Sequence, residues 1–350
     1  MPAWSRIPSS VLPRIYTGEE VLTMPEPDWL LTDFIQKGGL TLVYGEPGGG
    51  KSLVMQDWAN VLAAPGDNWF WMGRKRLRQA NVLYIMGEGQ GGLRGRLLAW
   101  KKHRNMSTLP QVSWIMEPVH LWRPASDPVL TPPQVELIQL VKDENYDVMF
   151  LDTLAATYGA GNENTQQDMN QYLQVCAEIQ RLGCAIVIAH HNSKGSKTLR
   201  GSTVLMGAAD TVIFLDPTFD KEDHRLQVVK LVAKKQKDGI PFSPVLLAPK
   251  IHDVDTKVGQ SLTLSYMDFS EEESPKQVVR REKIMKAVQM NPGISAHIVR
   301  KTVGGKTTLV AENLKWLVRD GQLVRRRNDF DDDSLTYGYY VVEAEEVETL

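Results

Sequence analysis

From Gly39 onward, short apolar runs alternate with stretches of helical period. The runs are Leu40–Tyr44, Asn81–Met86, Asp147–Leu151, Ala185–Ala189, Thr211–Leu215 and Arg225–Val232. Several are apolar at successive positions rather than alternate ones, as central strands of a parallel sheet are when both faces are covered. Their alternation with helices predicts a doubly wound α/β core. Phe242–Ala248 and Ser261–Tyr266 are expected as later strands closing that domain. Residues 1–38 are Pro-rich and irregular, apart from a short helix that Thr17 and Glu20 start as a capping box and Pro25-Glu26-Pro27 ends. This segment is expected to be an arm laid on its own core or on a neighbour's.

The pattern changes after residue 268. Residues 269–278 form a polar, acidic linker. A helix is expected from about Arg280 to Met290, ending at Asn291-Pro292-Gly293, and Ser295 caps a second that stops at Gly304-Gly305. A third runs from Thr307 to Arg319, followed by strands Gln322–Arg327 and Leu335–Val342 around an acidic turn. Three helices and a hairpin predict a winged helix-turn-helix over 279–343, with residues 344–350 an acidic tail. The α/β domain would occupy 39–268.

A chain of 350 residues accommodates these two domains. Cys176 and Cys184 are too few for a disulfide framework and fall in apolar patterns, as packed thiols of a reducing compartment do. With no signal-peptide core and no run long enough to span a bilayer, a soluble, cytoplasmic protein with no membrane partner is expected. The net charge of −2 hides an uneven distribution. Lys276, Arg280, Arg281, Lys283, Lys286 and the basic residues up to Arg327 meet only Glu282, Glu312 and Asp320, which leaves the tail domain strongly positive.

The chemistry concentrates at residues 45–52, where Gly45, Glu46, Pro47, Gly48, Gly49, Gly50, Lys51 and Ser52 complete a Walker A phosphate loop, with Leu53 opening the helix behind it. Glycines let successive N–H groups turn inward around a triphosphate, and the helix aims its positive end at the same anion. Lys51 would reach the β- and γ-phosphates and Ser52 would hold Mg²⁺. ATP binding and hydrolysis follow as the expectation. Asp152, after Val148-Met149-Phe150-Leu151, fits a Walker B aspartate holding Mg²⁺ through water. Glu88 stands just past Val82–Met86, expected on the strand beside the phosphate loop, where it would deprotonate the attacking water. Gly87-Glu-Gly-Gln-Gly-Gly92 also spells G-x-G-x-x-G, but the acidic residue of a dinucleotide site is missing downstream. Of His190 and His191, His191 is favoured as a donor that senses the γ-phosphate. Gly305-Lys306-Thr307 looks like half a phosphate loop, yet Arg300 replaces the first glycine, and it is read as a turn.

These motifs in order resemble the RecA-type ATPases that include the hexameric RepA-like replicative helicases of plasmids and phages. Asp152-Thr153-Leu154-Ala155 with Gly161-Asn-Glu-Asn-Thr resembles that family's Walker B segment. Ala189-His190-His191 with Leu199-Arg200-Gly201-Ser202 and Ala209-Asp210 resembles its next two motifs. The resemblance implies a RecA-like fold, ATP and Mg²⁺, a hexameric ring, single-stranded DNA as partner, and a plasmid- or phage-encoded protein acting in a bacterial host. It implies channel-facing DNA contacts for Lys194, Lys197 and Arg200. Lys235-Gln236-Lys237-Asp238-Gly239 resembles the K-x-R-x-G element that reaches a neighbour's γ-phosphate, with Lys237 where arginine is usual. A lysine lacks the two-pronged guanidinium contact.

The basic tail has the footprint of a phosphate-backbone binder. Thr307–Arg319 would be its recognition helix, with Lys306, Thr308 and Lys315 nearest duplex DNA. The preferred expectation is an ATP-driven replicative DNA helicase. A RecA-like recombination or annealing ATPase and a non-motor ATP-dependent DNA-binding regulator remain as alternatives, because this core serves all three.

Overall fold

The computed structural model describes residues 15–24, 28–67, 69–126, 129–193, 197–199, 201, 203–255, 257–267, 275–319, 322–327 and 337–341. In chain order the first elements are α1 (Gly18–Leu22), β1 (Trp29–Leu31), β2 (Ile35–Gln36), β3 (Leu40–Gly45), α2 (Lys51–Ala63), β4 (Phe70–Trp71), β5 (Arg74–Lys75) and β6 (Val82–Met86). There follow α3 (Leu93–His103), β7 (Val112–Ile115), α4 (Pro132–Asp143), β8 (Val148–Asp152), α5 (Leu154–Tyr158), α6 (Gln166–Arg181), β9 (Ala185–His191) and α7 (Thr203–Ala208). The core closes with β10 (Thr211–Phe219), β11 (Leu226–Gln236), β12 (Val245–Asp255) and β13 (Gly259–Met267). The last stretch holds α8 (Pro275–Met290), α9 (Ala296–Val303), α10 (Thr307–Arg319), β14 (Leu323–Arg327) and β15 (Tyr337–Val341).

Among the described residues one nine-stranded sheet organises the chain, in the order β13-β12-β11-β10-β3-β9-β8-β6-β7. Strands from β10 to β7 are parallel, and β11, β12 and β13 continue antiparallel. The parallel strands are buried on both faces, which is why they read as unbroken apolar runs. Val43, Tyr84, Phe150 and Val187 face one core with Val54 and Trp58 of α2. Leu42, Leu83, Met149 and Ile186 face the other, with Tyr172 and Val175 of α6. Every expected strand of the core is present, though β10, β11 and β12 run well beyond their apolar stretches.

The amino-terminal segment departs from the expected arm. Thr17 Oγ1 accepts from Glu20 N at 3.2 Å and Glu20 Oε2 accepts from Thr17 N at 2.8 Å, so the capping box forms. Residues 25–27 lie outside the described residues. Leu30, Leu31, Phe34 and Ile35 are fully buried in the core around Trp58, so β1 and β2 are built into the domain rather than laid upon it.

Two buried polar devices hold α2. Arg76, fully buried, donates to the carbonyls of Val61 (3.1 Å), Leu62 (3.3 Å), Ala64 and Gly66. It supplies donors to the carbonyls that a helix end leaves unpaired. Asp57 accepts from the indole N–H groups of Trp71 (2.8 Å) and Trp100 (2.6 Å) and from Arg104 (3.0 Å).

Helices α8 to α10 and the β14–β15 pair enclose a separate core of Ile284, Val288, Val299, Val310, Leu314, Leu317, Leu323 and Tyr339. Ser295 caps α9 by accepting from Ile298 N. Most of the expected linker, the acidic turn and residues 342–350 lie outside the described residues. Cys176 and Cys184 are buried thiols, and burial pushes both up to about 12. Among the described residues no helix is long and apolar enough to cross a membrane.

Candidate active site

The carboxyl ends of β3, β6, β8 and β9 come together on one edge of the sheet, where open α/β sheets bind ligands. Gly45 ends β3 beside both Leu215 of β10 and His191 of β9. A Cβ there would stand 2.5 Å from the Leu215 carbonyl oxygen, so only glycine lets β10 approach. The loop then turns through Gly48 (φ +73°) and Gly50 (φ +88°), a left-handed backbone that glycine adopts without strain, and α2 starts at Lys51. Glu46, Pro47 and Gly48 are exposed and Leu53 is half-buried behind them.

Lys51 is only 5% exposed. Its Nζ donates to the carbonyls of Gly45 (3.0 Å) and Glu46 (2.9 Å) and lies 3.3 Å from His191 Nδ1. Burial lowers its pKa from 10.5 to about 8, against the opposing pull of Asp152, Glu88 and Glu46. The ammonium is thus folded back along its own loop, and His191 stands against it.

Asp152 closes β8 and is buried. Ser52 Oγ donates to its Oδ1 at 3.1 Å and Tyr84 OH to its Oδ2 at 2.8 Å. Burial raises its pKa, and the hydrogen bonds from Tyr84 and Ser52 and the charge of Arg96 work the other way. Two hard oxygens, a hydroxyl and a carboxylate, meet here at the start of α2, a donor pair suited to a small, hydrated divalent cation.

Glu88 is exposed on the turn after β6, and its Oε1 accepts from Thr153 Oγ1 at 2.7 Å. That turn is tied to β8 by Gly87 N donating to Asp152 O at 2.8 Å. The expected position of its strand needs correcting. β6 is not beside β3, since β9 and β8 lie between them. Glu88 enters the site from the Asp152 side, close enough to act on the Lys51 charge.

Other expected residues lie elsewhere. Lys235 is the penultimate residue of β11, paired with Val212, and Lys237 follows Gln236, which lies opposite Thr211 on the amino edge of the parallel strands. That edge is about 13 Å along the sheet from Gly45, four residues of strand. Lys235 Nζ donates to the carbonyls of Met206 (3.2 Å) and Gly207 (2.7 Å), and Lys237 pairs with Asp210 at 3.2 Å. Neither meets the phosphate loop of its own chain. Lys197 is exposed and pairs with Asp216 at 2.7 Å, while Lys194 and Arg200 lie outside the described residues. His190 is buried in β9. In the tail, Lys306, Thr308 and Lys315 are exposed at and along α10. Arg281, counted above with the positive surface, is instead buried, with Nε 2.9 Å from Asn313 Oδ1 and its guanidinium 3.4 Å over the Trp316 ring.

Sequence reasoning missed Tyr84 and Arg96, and it quoted Thr153 beside Asp152 without foreseeing its hydrogen bond to Glu88. A tyrosine inside an otherwise aliphatic strand was the one visible signal, since a buried phenol seeks a polar partner.

A family model described as an AAA domain matches residues 10–197. The DNA repair protein RadA of Helicobacter pylori strain J99 is 27% identical over 207 residues, covering 57% of this chain and 39% of its own length. The protein of the same name from strain 26695 is 26% identical over the same length. The chain therefore spans about two fifths of these curated relatives, 39% of each. The crystal structure of the flagellar accessory protein FlaH from Methanocaldococcus jannaschii aligns with a TM-score of 0.37 at 14% identity, over 65% of this chain and 91% of that one. With the family model covering more than half of its residues, the chain belongs to the AAA domain family and carries a RecA-type P-loop ATPase domain.

Proposed function

We propose that the chain is an ATP-hydrolysing DNA motor, a ring-forming replicative helicase that translocates on single-stranded DNA. The observation that carries the ATPase part is the convergence of Lys51, Ser52 with Asp152, Glu88 and His191 on one strand edge. The turned glycines and the first N–H groups of α2 would hold the β-phosphate, and Lys51 would swing from the Gly45 and Glu46 carbonyls onto the β- and γ-oxygens. Ser52 and Asp152 would hold Mg²⁺, which when bound draws negative charge from the phosphate oxygens. Glu88, on an exposed turn with one oxygen anchored by Thr153, has its other oxygen available to orient and deprotonate a water. His191, beside Lys51, is placed to register whether that lysine has moved, and in the sequence it precedes Lys197 and Arg200 by fewer than ten residues.

The single-chain geometry supports a shared site. Lys235 and Lys237 sit on the far edge of the sheet, so a role for them at a phosphate belongs to a neighbouring copy. We read the three helices and hairpin of the tail as a winged helix whose α10 lies in duplex DNA through Lys306, Thr308 and Lys315. A second reading, a recombination or annealing ATPase, draws on the likeness to a DNA repair protein. ATPase assays with and without single-stranded DNA, forked-duplex unwinding and particle imaging decide between them. Unwinding by rings upholds the helicase, strand pairing without unwinding favours the second reading, and DNA-independent hydrolysis overturns the motor.

A further inference from the structure

The glycine-rich turn Gly87–Gly92, which is not a second phosphate cradle, is built around Arg96 of α3. Arg96 Nη2 donates to the Gly89 carbonyl at 2.8 Å, and Gly89 has a left-handed backbone (φ +73°). Gly92 has φ −87°, which any residue adopts, yet a Cβ there would stand 3.2 Å from Arg96 Nη1. A side chain at 92 would therefore press on the guanidinium without straining the backbone. At the other end of the turn a Cβ on Gly87 would come within 2.4 Å of Ala156 Cβ, which presses the turn onto α5. Glu88 is thus held at three points: Gly87 N on the Asp152 carbonyl, Thr153 on its own carboxylate, and Arg96 on the next peptide. The Arg96 point rests on a rigid element, since Leu93, Gly95, Ala99 and Trp100 bury α3. The Arg96 charge also acts on Asp152, the carboxylate on the other side of the turn.

We propose that Arg96 is a positioning residue for ATP hydrolysis, holding the Glu88 turn in its working position through the Gly89 carbonyl rather than touching the nucleotide. This rests on the reading of Glu88 as the water-activating base. A catalytic group displaced by about 1 Å loses on the order of 100-fold in rate, so loss of the tether should lower kcat by about 10- to 100-fold.

The test uses the full chain with Arg96→Ala, Arg96→Lys, Glu88→Gln and the Arg96→Ala/Glu88→Gln pair, measuring kcat, KM and the Kd of a fluorescent non-hydrolysable ATP analogue. Arg96→Ala should lower kcat while the analogue's Kd stays within about twofold, which also shows that the variant is folded. Arg96→Lys, which keeps a donor and the charge, should recover much of the rate. In single turnovers, Arg96→Ala should add no further loss on top of Glu88→Gln, because residues acting through one another are not additive. A Kd weakened as much as kcat, or losses that multiply in the double variant, would make Arg96 a direct phosphate contact and overturn the inference. If Glu88→Gln turns over like the wild type, the base assignment fails whatever Arg96 does. If Glu88→Gln is inactive and Arg96→Ala is not impaired, the Arg96 inference alone fails.

Discussion

Lys51→Met should abolish ATP hydrolysis and at the same time make the nucleotide-free protein more stable at neutral pH. Methionine keeps the unbranched apolar stem, one atom shorter, without the charge. Burial lowers the lysine from 10.5 to about 8, so at pH 7 the folded state still holds the ammonium but binds its proton less tightly than the unfolded chain does. At 1.36 kcal/mol per unit that shift destabilises the fold by ~3 kcal/mol. The sign follows from proton binding. Between pH 8 and 10.5 the unfolded chain keeps a proton that the folded chain has lost, so wild-type stability gains as pH rises through this window. Against the gain in Lys51→Met stand the hydrogen bonds to the Gly45 and Glu46 carbonyls, together worth about 1 kcal/mol from a neutral amine. The expected net effect is ~2 kcal/mol of stabilisation at pH 7, shrinking to about zero near pH 9.5. Denaturant unfolding of both proteins at pH 7.0 and about 9.5 measures it, with ATP turnover read in parallel. A variant less stable than wild type at pH 7, or a difference that does not change with pH, would show that Lys51 is not held as a strained cation and would refute the reasoning.

Three further outcomes are expected. Arg76→Met leaves the carbonyls of Val61, Leu62, Ala64 and Gly66 without their shared donor, and should cost about 3 kcal/mol in denaturant unfolding; a loss below about 1 kcal/mol would mean that water replaces the guanidinium. Mixing Lys237→Ala with Lys51→Ala subunits should restore some ATPase activity at interfaces that pair two intact halves, and full activity of a strict monomer would count against a shared site. Lys306→Ala with Lys315→Ala should flatten the salt dependence of duplex binding by about two in log–log slope while single-strand-stimulated ATPase persists; an unchanged slope would remove α10 from the interface.

What was legible in the sequence was whatever is encoded locally. The parallel strands announce themselves because both of their faces are covered, and the phosphate loop because its glycines, lysine and serine are contiguous. The caps at Thr17 and Ser295 are likewise short-range, each complete within three residues. β7 was missed because it is a four-residue edge strand with no fully buried position. β11 and β12 were foreshortened because antiparallel strands with a wet face carry charges such as Lys230, Lys234 and Asp253 among their apolar residues. The site needed more than local signals. Lys51 meets His191 across 140 residues because β9 lies beside β3, and Tyr84 meets Asp152 across 68 because β6 lies beside β8. An apolar run states that a strand is buried but not which strands flank it, so Glu88 was assigned to a neighbour of the phosphate loop when two strands separate them. Arg96 shows the same limit at short range. The G-x-G-x-x-G spelling was visible, but only the fold reveals that its last glycine, Gly92, lies against a guanidinium.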